Sequence, residues 1–137
     1  MPRRNSLQAK LEERIAERSD DVFLTREFAD LGGERQVLRA LSKEVEAGRL
    51  IRLGYGVYGR AFKSRLSGKP VLYNKGGFSG AARDALTKLG VRWEPSEAER
   101  AYNEGRSTQI PVNPKLRVKG RFSRKLRDGA VELILER

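Results

Sequence analysis

The 137-residue sequence predicts an α+β fold in two parts. Three observations carry this. Helix-period stretches within the first 47 residues run straight into a short ribbon, "AGRLIRLGYGVYGR", in which apolar residues alternate with arginines. A polar, Gly-rich stretch then interrupts the pattern. Beyond it come a further helical stretch and two extended runs either side of Asp128-Gly129.

The first helix is read from "SLQAKLEERIAER". Leu7, Leu11 and Ile15 recur four residues apart and share one face, and Ser6 suits the N-cap. Val22, Phe23 and Leu24 form a short extended piece. Thr25 is expected to cap a short second helix whose apolar side is Phe28 and Leu31, and Gly32-Gly33 turns the chain. A third helix is expected over 34–47. Val37, Leu38, Leu41 and Val45 make its inward arc, Gln36, Arg39, Ala40 and Lys43 the opposite arc, with Arg35 on a flank. Gly48 sits where a left-handed C-terminal cap is wanted. Leu50, Ile51 and Leu53 then form a strand, Gly54-Tyr55-Gly56 a turn, and Val57 and Tyr58 the return. Helix, short strand, helix, turn, helix, two-stranded ribbon is the element order of a winged helix-turn-helix.

Residues 1–60 are therefore assigned to a winged helix-turn-helix domain, 61–77 to a connection, and 78–137 to a small C-terminal α/β module ending in a β-hairpin. Within the connection "PVLY" suits a short strand. In the module Ser79 is expected to cap a helix with Ala82, Ala85, Leu86 and Leu89 inward and Gly90 as terminator. "VRWEP" reads as extended, and "SEAE" as a capping box opening a helix through Tyr102 that stops at Gly105. "STQIPVNPKLRVKG" is β-like, with Leu116, Val118, Phe122 and Leu126 on its buried side. Asp128-Gly129 suits a type I′ hairpin turn.

Composition narrows function. The chain has no cysteine and no histidine, which removes disulfides, thiolate chemistry, the usual general base and the usual metal ligand. No catalytic residue, metal site or cofactor is expected, and the chain is read as no enzyme. Asp128 and Glu132 could begin a metal-nuclease cluster, but Ile134 stands where a lysine is needed and reads as buried. "YNKGGFSGAARDAL" lacks the phosphate-loop spacing. Twenty-nine Lys and Arg against 18 Asp and Glu give a net charge of +11, which favours a polyanionic partner. No apolar run is long enough to span a membrane, and "MPRRNSLQAK" has no apolar signal core. A cytoplasmic protein with no membrane partner is expected.

The ribbon and third helix name the partner. In a winged helix the third helix enters the major groove and the ribbon lies along the phosphates. Gln36 and Arg39 are the expected base readers, since Gln suits adenine and Arg pairs bidentately with guanine. Arg35, Lys43, Arg52, Tyr55 and Arg60 complete the expected double-stranded DNA contacts, on a site expected to be an inverted repeat. A possible second basic surface is Lys115, Arg117, Lys119, Arg121, Arg124, Lys125 and Arg127, for DNA or RNA, or one solvated sheet face. A plasmid or phage regulator and an RNA-binding or ribosome-associated module are the alternative readings.

The stretch "LEERIAERSDDVFLTREFADLGGERQVLRALSKEVEAGRLIRLGYGVYGR" resembles the winged helix of AbiEi-type antitoxins, and "PSEAERAYNEGRSTQIPVNPKLRVKGRFSRKLRDGAVELILE" is similar to that family's second domain. The resemblance implies a transcriptional repressor that binds repeats in its own promoter. It also implies a second domain that opposes a nucleotidyltransferase toxin. The chain is shorter than many such antitoxins.

Overall fold

A computed structural model describes residues 6–97, 100–101, 104–105, 113–122 and 124–136. Tyr102 and residues 106–112, in which helical and β-like structure is expected, lie outside the described residues. The protein is a mixed α+β chain of two compact units: Met1–Arg52 with Gly56–Tyr73, and Leu53–Tyr55 with Asn74–Arg137.

The first unit contains helix α1 (Leu7–Glu17), strand β1 (Val22–Leu24), a 3₁₀ helix (Thr25–Leu31), helix α2 (Glu34–Glu46), strand β2 (Leu50–Gly54) except its last two residues, which group with the second unit, and strands β3 (Val57–Lys63) and β4 (Pro70–Leu72). Strand β3 lies between β1 and β2, and its outer half pairs with β4. Val22, Phe23 and Leu24 oppose Gly59, Tyr58 and Val57 in antiparallel register. Leu11, Ile15, Phe23, Phe28, Val37, Ala40, Leu41, Leu50 and Tyr58 form the core.

Local chemistry sets the helix ends. Ser6 Oγ accepts from the Ala9 amide at 3.1 Å and opens α1 as expected. Thr25 does not cap the second helix. The Glu27 carboxylate accepts from the Leu24 amide at 2.6 Å instead, because it sits three residues on and folds back to the first free N–H. Gly48, at φ +78°, closes α2: its amide reaches Val45 O and the Arg49 amide reaches Glu44 O, so two end carbonyls are satisfied.

Residues 61–77 are not a connection as far as Tyr73. They complete β3 and form β4, so they belong to the first unit. The expected strand "PVLY" is the returning limb of that hairpin. The Gly-rich composition marks its turn and the approach to the next helix.

In the second unit helix α3 (Gly77–Lys88) is followed by strands β5 (Arg92–Pro95), β6 (Lys115–Lys119), β7 (Arg127–Asp128), β8 (Val131–Glu132) and β9 (Ile134–Glu136). Strand β6 pairs antiparallel with β5 and parallel with β9. Ala81, Ala82, Ala85, Leu86, Leu116, Val118, Phe122, Leu126 and Leu133 are buried. Helix α3 begins at Gly77, so Ser79 lies inside it and does not cap it. The β7–β8 turn residues are Gly129 and Ala130, with Asp128 opposite Val131. Only the glycine has positive φ, +60°, which is the type II′ pattern and not type I′. Ile134 is exposed, and Leu133 takes the buried place. Gly54 belongs to this unit: a Cβ there would lie 2.4 Å from the Lys125 carbonyl oxygen, so only glycine fits. Among the described residues no helix is long and apolar enough to cross a membrane.

One polar network is buried in the first unit. The Glu44 carboxylate on α2, 1% exposed, accepts from Gln8 Nε2 at 2.9 Å and from Arg49 Nη2 at 3.2 Å. Arg49 also reaches Glu12 at 3.0 Å. Burial, then the neighbouring Glu44, raise the Glu12 carboxyl above its ordinary range. Arg49→Leu is expected to leave Glu44 under-satisfied and to lower unfolding stability by about 1–3 kcal/mol. Glu44→Leu added to it is expected to recover part of that loss in denaturant melts, because the uncompensated charge is gone. A double variant weaker than the sum of the singles would contradict the pairing.

Candidate nucleic-acid interface

Helix α2 has two chemically different sides. Val37, Ala40, Leu41 and Glu44 are buried, at the i, i+3, i+4, i+7 spacing of one helical face. This corrects the expected inward arc. Ala40 is 4% exposed and Leu38 is 38% exposed. Small Ala40 lets α1 come close enough for Gln8 to donate to its carbonyl at 3.2 Å, and Glu44 joins it, turning Leu38 outward.

The outward side holds Arg35, Gln36, Arg39, Ser42 and Lys43, all exposed. Four expected DNA contacts, Arg35, Gln36, Arg39 and Lys43, therefore share one solvent-facing strip about two and a half turns long. The strip begins beside Gly32. A Cβ at Gly32 would lie 2.6 Å from Leu7 Cδ1 and 2.9 Å from Gln36 Oε1, so a larger residue there would have to displace the ends of those two side chains.

Other contacts position the helix pair. Arg14 on α1 forms a two-pronged ion pair with Asp30, both prongs at 2.6 Å, and donates to Glu27 O at 3.1 Å. The Arg14 hydrogen bonds hold the Asp30 carboxyl down at about 2. The 3₁₀ helix is thereby tied to α1 immediately before the chain enters α2.

On the ribbon, Arg52 is exposed in β2. Tyr55 is 72% exposed and groups with the second unit, where the Arg124 guanidinium lies 5.9 Å from its ring centre. Tyr58 is buried, as expected of a core residue. Arg60 departs from expectation. Its guanidinium donates to Ile15 O at 3.0 Å, Arg18 O at 2.9 Å and Asp20 O at 2.7 Å, and it stacks 5.2 Å from the Phe23 ring centre. It closes the carbonyl end of α1, so its Nε and Nη2 donors are engaged within the fold.

In the second unit Lys115, Lys119, Arg121, Arg124, Lys125 and Arg127 are exposed. Arg117 is not part of a free basic surface. It stands opposite Glu94 on β5 and Glu136 on β9, and pairs with them at 3.6 and 2.8 Å. The strand alternation that buries Leu116 and Val118 puts Arg117 on the other face, between two carboxylates. Among the described residues no three Asp or Glu gather in a metal-binding group.

The sequence reading missed the Glu44 network and the helix-closing role of Arg60. The first had a signal: Glu44 falls three residues after Leu41 on the core side. The second had none, since its partners are main-chain carbonyls distant in sequence. Arg60→Ala is expected to lower stability by about 1.5–3 kcal/mol, the worth of hydrogen bonds from a charged donor. A denaturant midpoint equal to wild type would show that those carbonyls are satisfied without it. No family model, no curated protein and no solved structure matches the chain.

Proposed function

We propose that the chain is a sequence-specific, double-stranded-DNA-binding transcriptional repressor of winged helix-turn-helix type, acting in the cytoplasm as an antitoxin-like regulator of its own operon. The observation that carries the reading is the two-sided α2. Its buried side is used up by the core, while Arg35, Gln36, Arg39 and Lys43 stand together on the exposed side. A helix of 13 residues with such a strip has the width and charge for the major groove. Exposed Arg52 on the following ribbon suits a phosphate. Opposition to a nucleotidyltransferase toxin is supported by the family resemblance alone. An adjacent nucleotidyltransferase reading frame, and rescue of growth on co-expression, would test it.

A second reading is an RNA-binding or ribosome-associated module. It is favoured by the six exposed basic residues between Lys115 and Arg127. Competition between duplex DNA and structured RNA for the full chain separates the two.

Selection of duplexes from a random pool is expected to recover a preferred sequence, present as an inverted repeat. Arg39→Ala is then expected to relax preference at one position by about 1–3 kcal/mol. Arg52→Ala is expected to weaken all sequences alike and to flatten the log–log salt slope by about one unit. Recovery of no preferred sequence, or uniform weakening by Arg39→Ala, would overturn the assignment of the reading strip.

A further inference from the structure

The outer half of β3 and all of β4 form a hairpin that neither the core nor the α2 strip uses. Ala61, Phe62 and Lys63 pair with Leu72, Val71 and Pro70. The tip, Ser64–Lys69, is closed by its own hydrogen bonds. The Ser64 amide donates to Lys69 O at 2.9 Å, and the Gly68 amide to Ser64 O at 2.8 Å. Ser64 Oγ accepts from the Leu66 amide at 3.2 Å. Gly68 takes the left-handed conformation that this closure needs, φ +71°. At the root, Phe62 and Tyr73 meet edge to face, centres 6.3 Å apart. The hairpin is thus an ordered arm, so binding through it loses little conformational freedom.

Its chemistry has one sign. From Ala61 to Gly77 there are four basic residues and no acid. Lys63, Arg65 and Lys69 are exposed around the tip. Between them Leu66 is 100% exposed, with nothing of the fold against it. A lone exposed leucine is ordinary. A leucine held at the apex of an ordered, wholly cationic arm matches apolar side chains that enter the minor groove, where Lys and Arg hold the flanking phosphates. The arm also leaves the fold at a useful place. A Cβ on Gly48, which closes α2, would lie 3.0 Å from Lys63 Cγ, so the arm is rooted at the C-terminal end of that helix. A helix lying in the major groove ends beside a phosphate strand, and the minor groove lies just across that strand.

We infer that the β3–β4 hairpin is a second DNA-contacting arm, which places Leu66 in the minor groove flanking the α2 site and Lys63, Arg65 and Lys69 on its phosphates. The inference rests on the duplex-DNA reading above. Its partner is the DNA flank, which α2 does not read.

The test uses the full chain and a labelled duplex of the preferred sequence with its flanks. Lys63→Gln, Arg65→Gln and Lys69→Gln together are expected to flatten the salt slope by about three units, at about 0.9 per phosphate. They are expected to lose hydroxyl-radical protection of one minor-groove flank and to keep the base preference. Leu66→Ser is expected to keep the slope and to lose minor-groove protection at the same flank. All four side chains are exposed, so unchanged thermal melts are expected. If wild type binds the duplex while both variants keep its slope and footprint, the arm is overturned and the α2 reading stands. If wild type binds no duplex, both fall together. Stronger arm-dependent binding to an RNA duplex would overturn the assignment to DNA.

Discussion

The buried Glu44 carboxylate is the constraint on which the orientation of α2 depends. A charge in an apolar interior is tolerated only when it is paired and hydrogen-bonded. Here Gln8 comes from α1 and Arg49 from the turn into β2, so both elements converge on one carboxylate. Turning α2 far enough to enclose Leu38 would draw Glu44 away from Gln8 and Arg49, so the network selects the rotation in which Ala40 and Glu44 are buried and Leu38 is exposed. Which basic side chains face solvent follows from that selection.

The same logic separates two groups among the described arginines. Arg14, Arg49, Arg60 and Arg117 each meet carboxylates or main-chain carbonyls, and they stabilise helix ends or sheet faces. Arg35, Arg39, Arg52 and Arg65 stand exposed on α2, the ribbon and the β3–β4 arm. A net charge of +11 thus overstates no single surface. In the first unit exposed cations gather on α2 and on hairpins, the element types that fit grooves and phosphate strands, while Lys10 on α1 and Arg26 on the 3₁₀ helix stand apart from that group.

Much of the architecture was legible from short-range signals. The four-residue repeat of Leu7, Leu11 and Ile15, the Ser6 cap, the Gly48 terminator and the alternation of Leu116 and Val118 each act within one or two turns or strand steps. The structure places all of them as read. What escaped depended on partners far along the chain. Arg60 pairs with carbonyls some 40 residues earlier, and Arg117 with a carboxylate 19 residues on. The β3–β4 hairpin was hidden because Gly, Ser and Lys compose a turn as readily as a linker. Of the candidate site, the strip on α2 was legible because helical period alone separates 35, 36, 39 and 43 from 37 and 41. Ala40 and Leu38 were not, since size decides which of two borderline residues is enclosed.

The central claim is that the exposed strip of α2 meets duplex DNA. Amide chemical-shift mapping of the ¹⁵N-labelled full chain, titrated with a duplex, tests it most directly. The account predicts the largest perturbations at Arg35, Gln36, Arg39 and Lys43, with a second group at Arg52. Perturbations confined to Lys115–Arg127, with α2 unmoved, would contradict it.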